Sequence, residues 1–241
     1  MTDNPNRYSI IETKNPREIL MLRGRGCGWK RCTFCDYHLD SSPDDEANYL
    51  INIEEIKKVT GIYRHLEVIN SGSFCELDLR TMEAIHDKCR ELKIHTIHFE
   101  THWMYRRQLK QLREYFAEAG TTVKIKIGVE TFDKDFRENI MHKGMPLATP
   151  EEIASYCDEV CLLFGLTGQT VESMRSDIET GLQYFERVCV NIMNPNNTPV
   201  VPDSQVIKAF IDHIYPDYIH NSRVDILLEN TEFGVGGEAN A

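Results

Sequence analysis

Residues 19–40 read ILMLRGRGCGWKRCTFCDYHLD, an apolar run that passes directly into a loop rich in glycine and cysteine. The run is short and nearly continuous, which favours a strand buried on both faces of a parallel sheet. Strand-like runs and amphipathic stretches alternate about six times before a last strand, which predicts an α/β fold, a partial TIM-like (β/α)6 barrel. A doubly wound open sheet is the alternative, although no G-x-G-x-x-G follows the first strand.

The predicted elements can be placed by their apolar periodicity. The strands are expected at residues 19–22, 66–69, 94–99, 123–129, 160–166, 188–193 and 224–228. The helices are expected at residues 80–92, 105–119, 150–157, 171–187 and 204–215. Thr149 before Pro150, with Glu152 three residues later, predicts a capped helix start, and Gly120 predicts a helix end.

Composition limits the partners and the location. The chain has 241 residues and a formal charge of -11, from 27 basic and 38 acidic side chains. This charge repels a phosphate backbone and favours a small-molecule partner over nucleic acid. No stretch approaches the roughly 18 apolar residues of a membrane span, and the first residues do not resemble a signal peptide, so we expect a cytoplasmic protein.

The chain shows no internal repeat and no linker rich in proline, glycine or serine. We therefore predict a single domain over residues 1–241. The cysteine loop covers residues 24–38 of this domain. The glycine-rich tail at residues 234–241 is expected either to be flexible or to fold over a barrel end.

Three of the eight cysteines form a compact motif. Cys27, Cys32 and Cys35 have the spacing C-x4-C-x2-C, and thiolates this close in sequence favour metal binding over core packing. Three ligands without a nearby fourth predict a 4Fe-4S cluster with one open iron. A zinc site with His38 as fourth ligand is the alternative. The other cysteines are expected to be buried small hydrophobic residues.

The loop resembles the cluster loop of the radical S-adenosylmethionine (SAM) superfamily, in which an aromatic residue, here Phe34, precedes the third cysteine. The common spacing is C-x3-C-x2-C, so this chain carries one extra residue between Cys27 and Cys32. The resemblance implies the radical SAM type of partial barrel, with a 4Fe-4S cluster and SAM as cofactors. It also implies that one-electron cleavage of SAM yields a 5'-deoxyadenosyl radical, with an electron donor such as flavodoxin or ferredoxin.

Further segments extend the resemblance. NSGSF at residues 70–74 corresponds to the turn that receives the SAM amino group, which assigns Ser71, Gly72 and Ser73 by position. GVETF at residues 128–132 resembles the ribose-binding segment and assigns Glu130. Arg137 follows where the superfamily often places a partner for the SAM carboxylate. FGLTGQT at residues 164–170 resembles a Gly-Leu-Pro-Gly-x-Thr segment. A surface helix cap for Glu130 and a solvated pairing of Arg137 with Asp133 are the alternatives.

Within the superfamily, the chain resembles the queuine lyases of queuosine salvage. The likeness is carried by residues 21–40, NSGSFCELD, HFETHWMYR, GVETFDKDFRE and DILLENTEFGVG. It implies cleavage of the carbon–nitrogen bond between the cyclopentenediol and the 7-aminomethyl group of queuine, releasing preQ1. Carboxylates, amides and imidazoles at strand ends suit a deazaguanine edge and a diol. The predicted substrate-binding residues are Glu100, His102, Asn191, Glu229 and Asn230.

Other functions stay open at this point. A radical SAM enzyme acting on tRNA or a protein is the first alternative, since basic clusters occur around residues 23–31 and 106–113. An iron–sulfur carrier or a zinc-binding module is the non-enzymatic alternative. For His102 and Trp103, simple packing at a helix start is the competing interpretation.

Overall fold

The computed structural model describes residues 6–228, so Glu229, Asn230 and the predicted tail at 234–241 lie outside the described residues. The chain divides into two compact units. One unit combines residues up to Lys30 with Tyr37–Ile125, and the other combines Arg31–Asp36 with residues from Lys126 onward. The interpretation of residues 1–241 as one domain stays a prediction.

The first unit holds a strand ladder covered by helices. Its strands are β1 (Tyr8–Ile11), β2 (Arg17–Leu22), β3 (His65–Asn70) and β4 (Thr96–Thr101), and its α-helices are α1 (Asp45–Ile56), α2 (Leu79–Leu92) and α3 (Leu109–Ala117). Short 3-10 helices occupy Tyr37–Leu39, Phe74–Glu76 and Trp103–Gln108. β1 pairs antiparallel with β2, while β2 with β3 and β3 with β4 pair in parallel.

The second unit continues the alternation. β5 (Thr122–Glu130) crosses from the first unit's residues into the second, which then holds β6 (Glu159–Phe164), β7 (Arg187–Ile192) and β8 (Val224–Leu227). The helices are α4 (Pro150–Ala154), α5 (Val171–Tyr184), α6 (Ser204–His213) and α7 (Tyr215–Tyr218), with a π-helical turn at Phe136–Ile140. β5 to β8 pair in parallel in chain order.

The burial pattern confirms the basis of the strand prediction. Leu20, Val68, Val160 and Val190 are fully buried within parallel strands, as expected of strands covered on both faces. The two predicted helix-end signals, at Thr149 and Gly120, also hold. The Thr149 hydroxyl oxygen accepts a hydrogen bond from the Glu152 N–H at 3.2 Å, and Gly120 has a φ of 76° just beyond α3.

β1 and α1 are among the elements absent from the prediction. β1 is a short antiparallel edge strand with no continuous apolar run, and its Ile10 is 39% exposed. α1 escaped because Asn48 and Asn52 occupy its buried face. Asn52 bonds the backbone of Arg23 through both its amide oxygen and its amide nitrogen, each at 2.8 Å, so polar side chains replace the expected apolar stripe.

Four of the five predicted helices are shorter than expected, and those predicted at 171–187 and 204–215 end at Tyr184 and His213. The stretch 105–119 begins with the 3-10 helix Trp103–Gln108 before α3, and the stretch 150–157 is helical only over Pro150–Ala154. No helix within residues 6–228 has the length and apolar character needed to cross a bilayer.

Candidate functional site

The first half of the cysteine loop lies in the first unit and is held mainly through its backbone. The Cys27 N–H donates to the Ser71 carbonyl at 3.1 Å, and the Arg25 N–H donates to the Glu76 carbonyl at 2.9 Å. A side chain at Gly24 would place its Cβ 2.7 Å from that same Glu76 oxygen. The loop therefore packs directly on the segment that follows β3, and the half-buried Cys27 lies beside the NSGSF turn.

The NSGSF turn is closely packed and hydrogen-bonded to neighbouring segments. Ser71 donates its hydroxyl to the Asp40 carbonyl at 2.7 Å, and the fully buried Ser73 accepts the His102 N–H on its hydroxyl oxygen at 2.8 Å. A Cβ at Gly72 would lie 1.8 Å from Glu76 Oε2 and 2.9 Å from the Cys27 nitrogen. Glycine is therefore required by close approach, and the role of residues 71–73 toward SAM stays a prediction.

Glu76 is a buried carboxylate that the sequence prediction missed. Its Oε1 accepts the Gly28 N–H at 2.5 Å and the Tyr105 hydroxyl at 2.9 Å, and its Oε2 accepts the Ser73 N–H at 2.7 Å. Burial raises the pKa of the Glu76 carboxyl, and the hydrogen bonds from Ser73 and Gly28 oppose that rise. The S-x-x-E spacing of Ser73 and Glu76, a capping-box signature, is the signal that could have revealed it.

His102 caps the 3-10 helix at the end of β4. Its Nδ1 accepts the Met104 N–H at 3.2 Å, and its ring stacks on Trp29 with centroids 5.4 Å apart. His102 and Trp103 are both buried at the start of this 3-10 helix, an arrangement compatible with the packing interpretation as well as with a substrate contact. Glu100 lies half-buried near the end of β4. Substrate binding by Glu100 and His102 stays a prediction.

The second half of the cysteine loop belongs to the second unit. Phe34 is buried in a cluster with Met141, Leu163, Leu166 and Met193, and the half-buried Cys32 and Cys35 pack against that cluster. Thr33 is fixed to the π-helical turn, since its hydroxyl donates to the Ile140 carbonyl at 2.6 Å. The Asn196 amide donates to the Phe34 carbonyl at 2.7 Å. The segment that carries both cysteines is thus anchored on two sides.

Glu130 forms a buried ion pair with Lys143. The Lys143 Nζ lies 2.7 Å from Glu130 Oε1, with each side chain 10% exposed, and 5.6 Å from the Phe34 ring centroid. Burial alone lowers the pKa of Lys143, but the nearby Glu130 charge and the Cys32 sulfur raise it, and the net shift is upward. The surface-cap alternative for Glu130 is therefore wrong. Lys143 was not predicted, because it lies in an irregular connection beyond the π-helical turn.

Arg137 is buried in the π-helical turn, only 2% exposed, so the solvated alternative is wrong. Its guanidinium donates to Glu138 Oε1 and to the Met145 carbonyl, each at 3.0 Å. Nearby, Asp177 on α5 accepts the Phe132 N–H at 2.7 Å and holds the GVETF turn. Burial raises the pKa of Asp177 to about 6.

The remaining predicted substrate residues are only partly placed. Asn191 lies half-buried in β7 and pairs in register with Leu227 of β8. Glu229 and Asn230 follow β8 outside the described residues. Their roles, like that of Asn191, stay predictions.

The residues present fit the donor requirements of an iron–sulfur cluster. Cys27, Cys32 and Cys35 are half-buried, and the eight cysteines, all of which lie within the described residues 6–228, form no disulfide there. Thiolates are the ligands such clusters use. Within residues 6–228, no group of three or more His, Cys, Asp or Glu side chains is already gathered into a metal site. Ligation of the cluster by these three cysteines, and the zinc alternative with His38, stay predictions.

Comparisons with solved structures identify proteins that this chain resembles. The structure of queuine lyase from Clostridium spiroforme, bound to SAM and queuine, is 41% identical and has a TM-score of 0.91, covering 97% of this chain and all of that one. SuiB from Streptococcus suis, bound to S-adenosylmethionine, shares the fold at 12% identity and a TM-score of 0.52, over 88% of this chain and 50% of SuiB.

A second relative matches over part of the chain. An uncharacterised protein of Methanocaldococcus jannaschii is 28% identical over 145 residues, 52% of this chain, and the match spans only 38% of that protein. No family model matches the chain.

The fold and the cysteine loop together define a radical SAM enzyme with the partial-barrel fold, which confirms the predicted fold class and superfamily. The identity extends over nearly the whole chain. The chain belongs to the queuine lyase family.

Proposed function

We propose that this chain is a radical SAM lyase that cleaves queuine at the carbon–nitrogen bond and releases preQ1. The observation that carries the proposal is the full-length match, at 41% identity and a TM-score of 0.91, to a queuine lyase bound to SAM and queuine. The cofactors are SAM and a 4Fe-4S cluster, which together supply the 5'-deoxyadenosyl radical when bound.

In this proposal Cys27, Cys32 and Cys35 hold the cluster, and the last two pack against the hydrophobic cluster that contains Phe34. The turn at residues 71–73 presents backbone carbonyls to the SAM amino group. The Ser71 carbonyl already accepts the Cys27 N–H, which couples the turn to the first cluster ligand.

Glu130 and Arg137 complete the proposed SAM site. The Lys143 bond uses Oε1 of Glu130, and Oε2 is the oxygen we assign to the ribose hydroxyls. Arg137 is assigned to the SAM carboxylate. Its buried guanidinium is oriented by Glu138 and Met145, so it would be held in place before SAM arrives.

The substrate is proposed to be a small molecule of the 7-deazaguanine type. The -11 charge gives little long-range attraction for a polyanion such as tRNA. Glu100, His102, Asn191, Glu229 and Asn230 are the proposed contacts to the base edge and the diol. A cytoplasmic location and a flavodoxin or ferredoxin as electron donor complete the proposal.

The test is anaerobic incubation of reconstituted protein with dithionite, SAM and queuine, followed by mass spectrometry. We expect preQ1 from the native chain and none from Cys32→Ala. SAM cleavage stimulated by tRNA and not by queuine would overturn the substrate class while leaving the radical chemistry standing. Stoichiometric zinc without sulfide in the reconstituted protein would remove the radical chemistry itself.

A further inference from the structure

Glu76 joins three segments of the first unit that the proposed site requires. Gly28 follows Cys27 in the cysteine loop, Ser73 ends the SAM-binding turn, and Tyr105 lies in the 3-10 helix after β4. One carboxylate accepts a hydrogen bond from each of them, at 2.5, 2.7 and 2.9 Å respectively. Two of the three donors are backbone N–H groups, so the carboxylate fixes the main chain directly.

The fit around Glu76 leaves little room for adjustment. Its Oε2 fills the space that a Cβ on Gly72 would enter, and a Cβ on Gly28 would lie 2.3 Å from the Tyr105 hydroxyl. Glu76 is 7% exposed. A carboxylate that accepts several hydrogen bonds in a buried position contributes more than a neutral acceptor, since charge-assisted bonds are about twice as strong.

We propose that Glu76 is a positioning residue, which sets the backbone of Cys27 and Gly28 against the NSGSF turn and thereby preorganises cluster and SAM for each other. The inference rests on the proposed function for the identity of the ligand, but its evidence is the three hydrogen bonds. Glu76 is not assigned a direct contact with SAM or substrate.

The first unit contains a matched control. Glu18 is also a buried carboxylate, and it accepts the backbone N–H groups of Thr60 and Gly61, each at 2.7 Å, and the Tyr8 hydroxyl at 2.8 Å. It additionally accepts the Thr60 hydroxyl at 3.1 Å. Glu18 therefore has almost the same donor set as Glu76, and none of its donors belongs to the cysteine loop or the NSGSF turn.

The decisive variant is Glu76→Gln. In either orientation its amide NH2 must face a donor, either the Ser73 N–H or the Gly28 N–H, so at least one hydrogen bond is lost. We expect both Glu76→Gln and Glu18→Gln to lower the unfolding temperature. Only Glu76→Gln should weaken SAM binding, by about tenfold to 100-fold, and reduce the change that SAM causes in the electron paramagnetic resonance spectrum of the reduced cluster.

The readouts are the SAM dissociation constant, that spectrum, and the iron and sulfide content. Equal destabilisation of the two variants, with SAM affinity and spectrum unchanged in Glu76→Gln, would overturn the inference and leave Glu76 a structural residue. If Glu76→Gln does not fold, Tyr105→Phe with Tyr8→Phe as its control decides the question. We then expect about twofold to tenfold weaker SAM binding for Tyr105→Phe alone, and no difference between the two would contradict the inference.

Failure of the inference is distinguishable from failure of the proposed function, because SAM binding and the spectrum are measured without queuine. A native chain that forms no preQ1, while Glu76→Gln still weakens SAM binding, would refute the substrate and keep the positioning role.

Discussion

Removal of the Lys143 ammonium is expected to leave Glu130 as an uncompensated buried charge. The two charged atoms lie 2.7 Å apart and each side chain is 10% exposed, so neither group can easily exchange its partner for water. The perturbation we choose is Lys143→Met, which keeps a long apolar stem and removes only the charge and its donors.

The size of the effect follows from this geometry. At 2.7 Å and an effective dielectric constant of about 20, two unit charges attract by about 6 kcal/mol, part of which is offset by the cost of burying them. Breaking a buried pair by removing one partner costs about 3 to 5 kcal/mol. We therefore expect Lys143→Met to reduce the folding equilibrium constant by about two to four orders of magnitude.

The assay is a double-mutant cycle read by urea unfolding. Glu130→Gln with Lys143→Met removes both charges and should recover at least about 2 kcal/mol relative to Lys143→Met alone. The exposed pair of Lys208 and Asp212, at 2.6 Å but with side chains 75% and 43% exposed, is the control. Its cycle should give a coupling of less than about 0.5 kcal/mol.

Additive energies at Glu130 and Lys143 would refute this reasoning. They would mean that the buried carboxylate finds another partner when Lys143 is lost. Equal coupling at the exposed pair would also refute it, because burial would then not be the cause.

Three further outcomes are expected. Replacing any one of the three loop cysteines with alanine should abolish the reconstituted cluster absorbance, whereas the buried Cys89→Ala should retain it; loss in both would indicate general instability. The folded-state pKa of Asp177, about 6, lies above its ordinary value of 3.8, so the stability of the native chain falls as the pH rises between these values. Asp177→Asn does not titrate. Its stability relative to the native chain, measured by urea unfolding, should therefore grow by up to about 3 kcal/mol as the pH rises from about 4 to about 7.5. Gly72→Ala should push the Glu76 carboxylate aside and weaken SAM binding, as Glu76→Gln does. The control is Gly120→Ala, where a Cβ meets nothing within 4 Å but the φ of 76° is strained, so this variant should lose stability and keep its affinity for SAM.

The parallel strands could be predicted because a strand that is buried on both faces requires a continuous run of apolar residues. Leu20 of β2 and Val68 of β3 are examples: they pair in register, and both are fully buried. α1 could not be predicted in the same way. Its buried face uses Asn48 and Asn52, whose amides bond the backbone at Ser42 and Arg23, and this polar packing leaves no hydrophobic period to detect.

The candidate site divides along a similar line. The cysteine motif could be recognised from the sequence because closely spaced thiols are specific to metal binding. Gly72 could be recognised because its lack of a side chain is specific to its position in the turn. The ion pair of Lys143 with Glu130 could not be predicted, because Lys143 lies thirteen residues further along the chain. The irregular segment between them has a path that no periodicity predicts. Asp177 was missed because its contact with Phe132 depends on how α5 packs, which the sequence does not specify.

Glu76 of the first unit and Glu130 of the second are both buried carboxylates, but different groups hold them, and this difference decides which losses a second substitution can repair. Glu130 is paired with a side-chain cation, so a second substitution at Lys143 can remove the charge it leaves behind. Glu76 is held by the N–H groups of Gly28 and Ser73, which no substitution of those residues other than proline removes. A neutral replacement of Glu76 therefore always leaves a buried backbone donor unsatisfied or opposed by another donor. We accordingly expect second-site changes to rescue Lys143→Met but not Glu76→Gln, and a screen for compensating substitutions would separate the two cases.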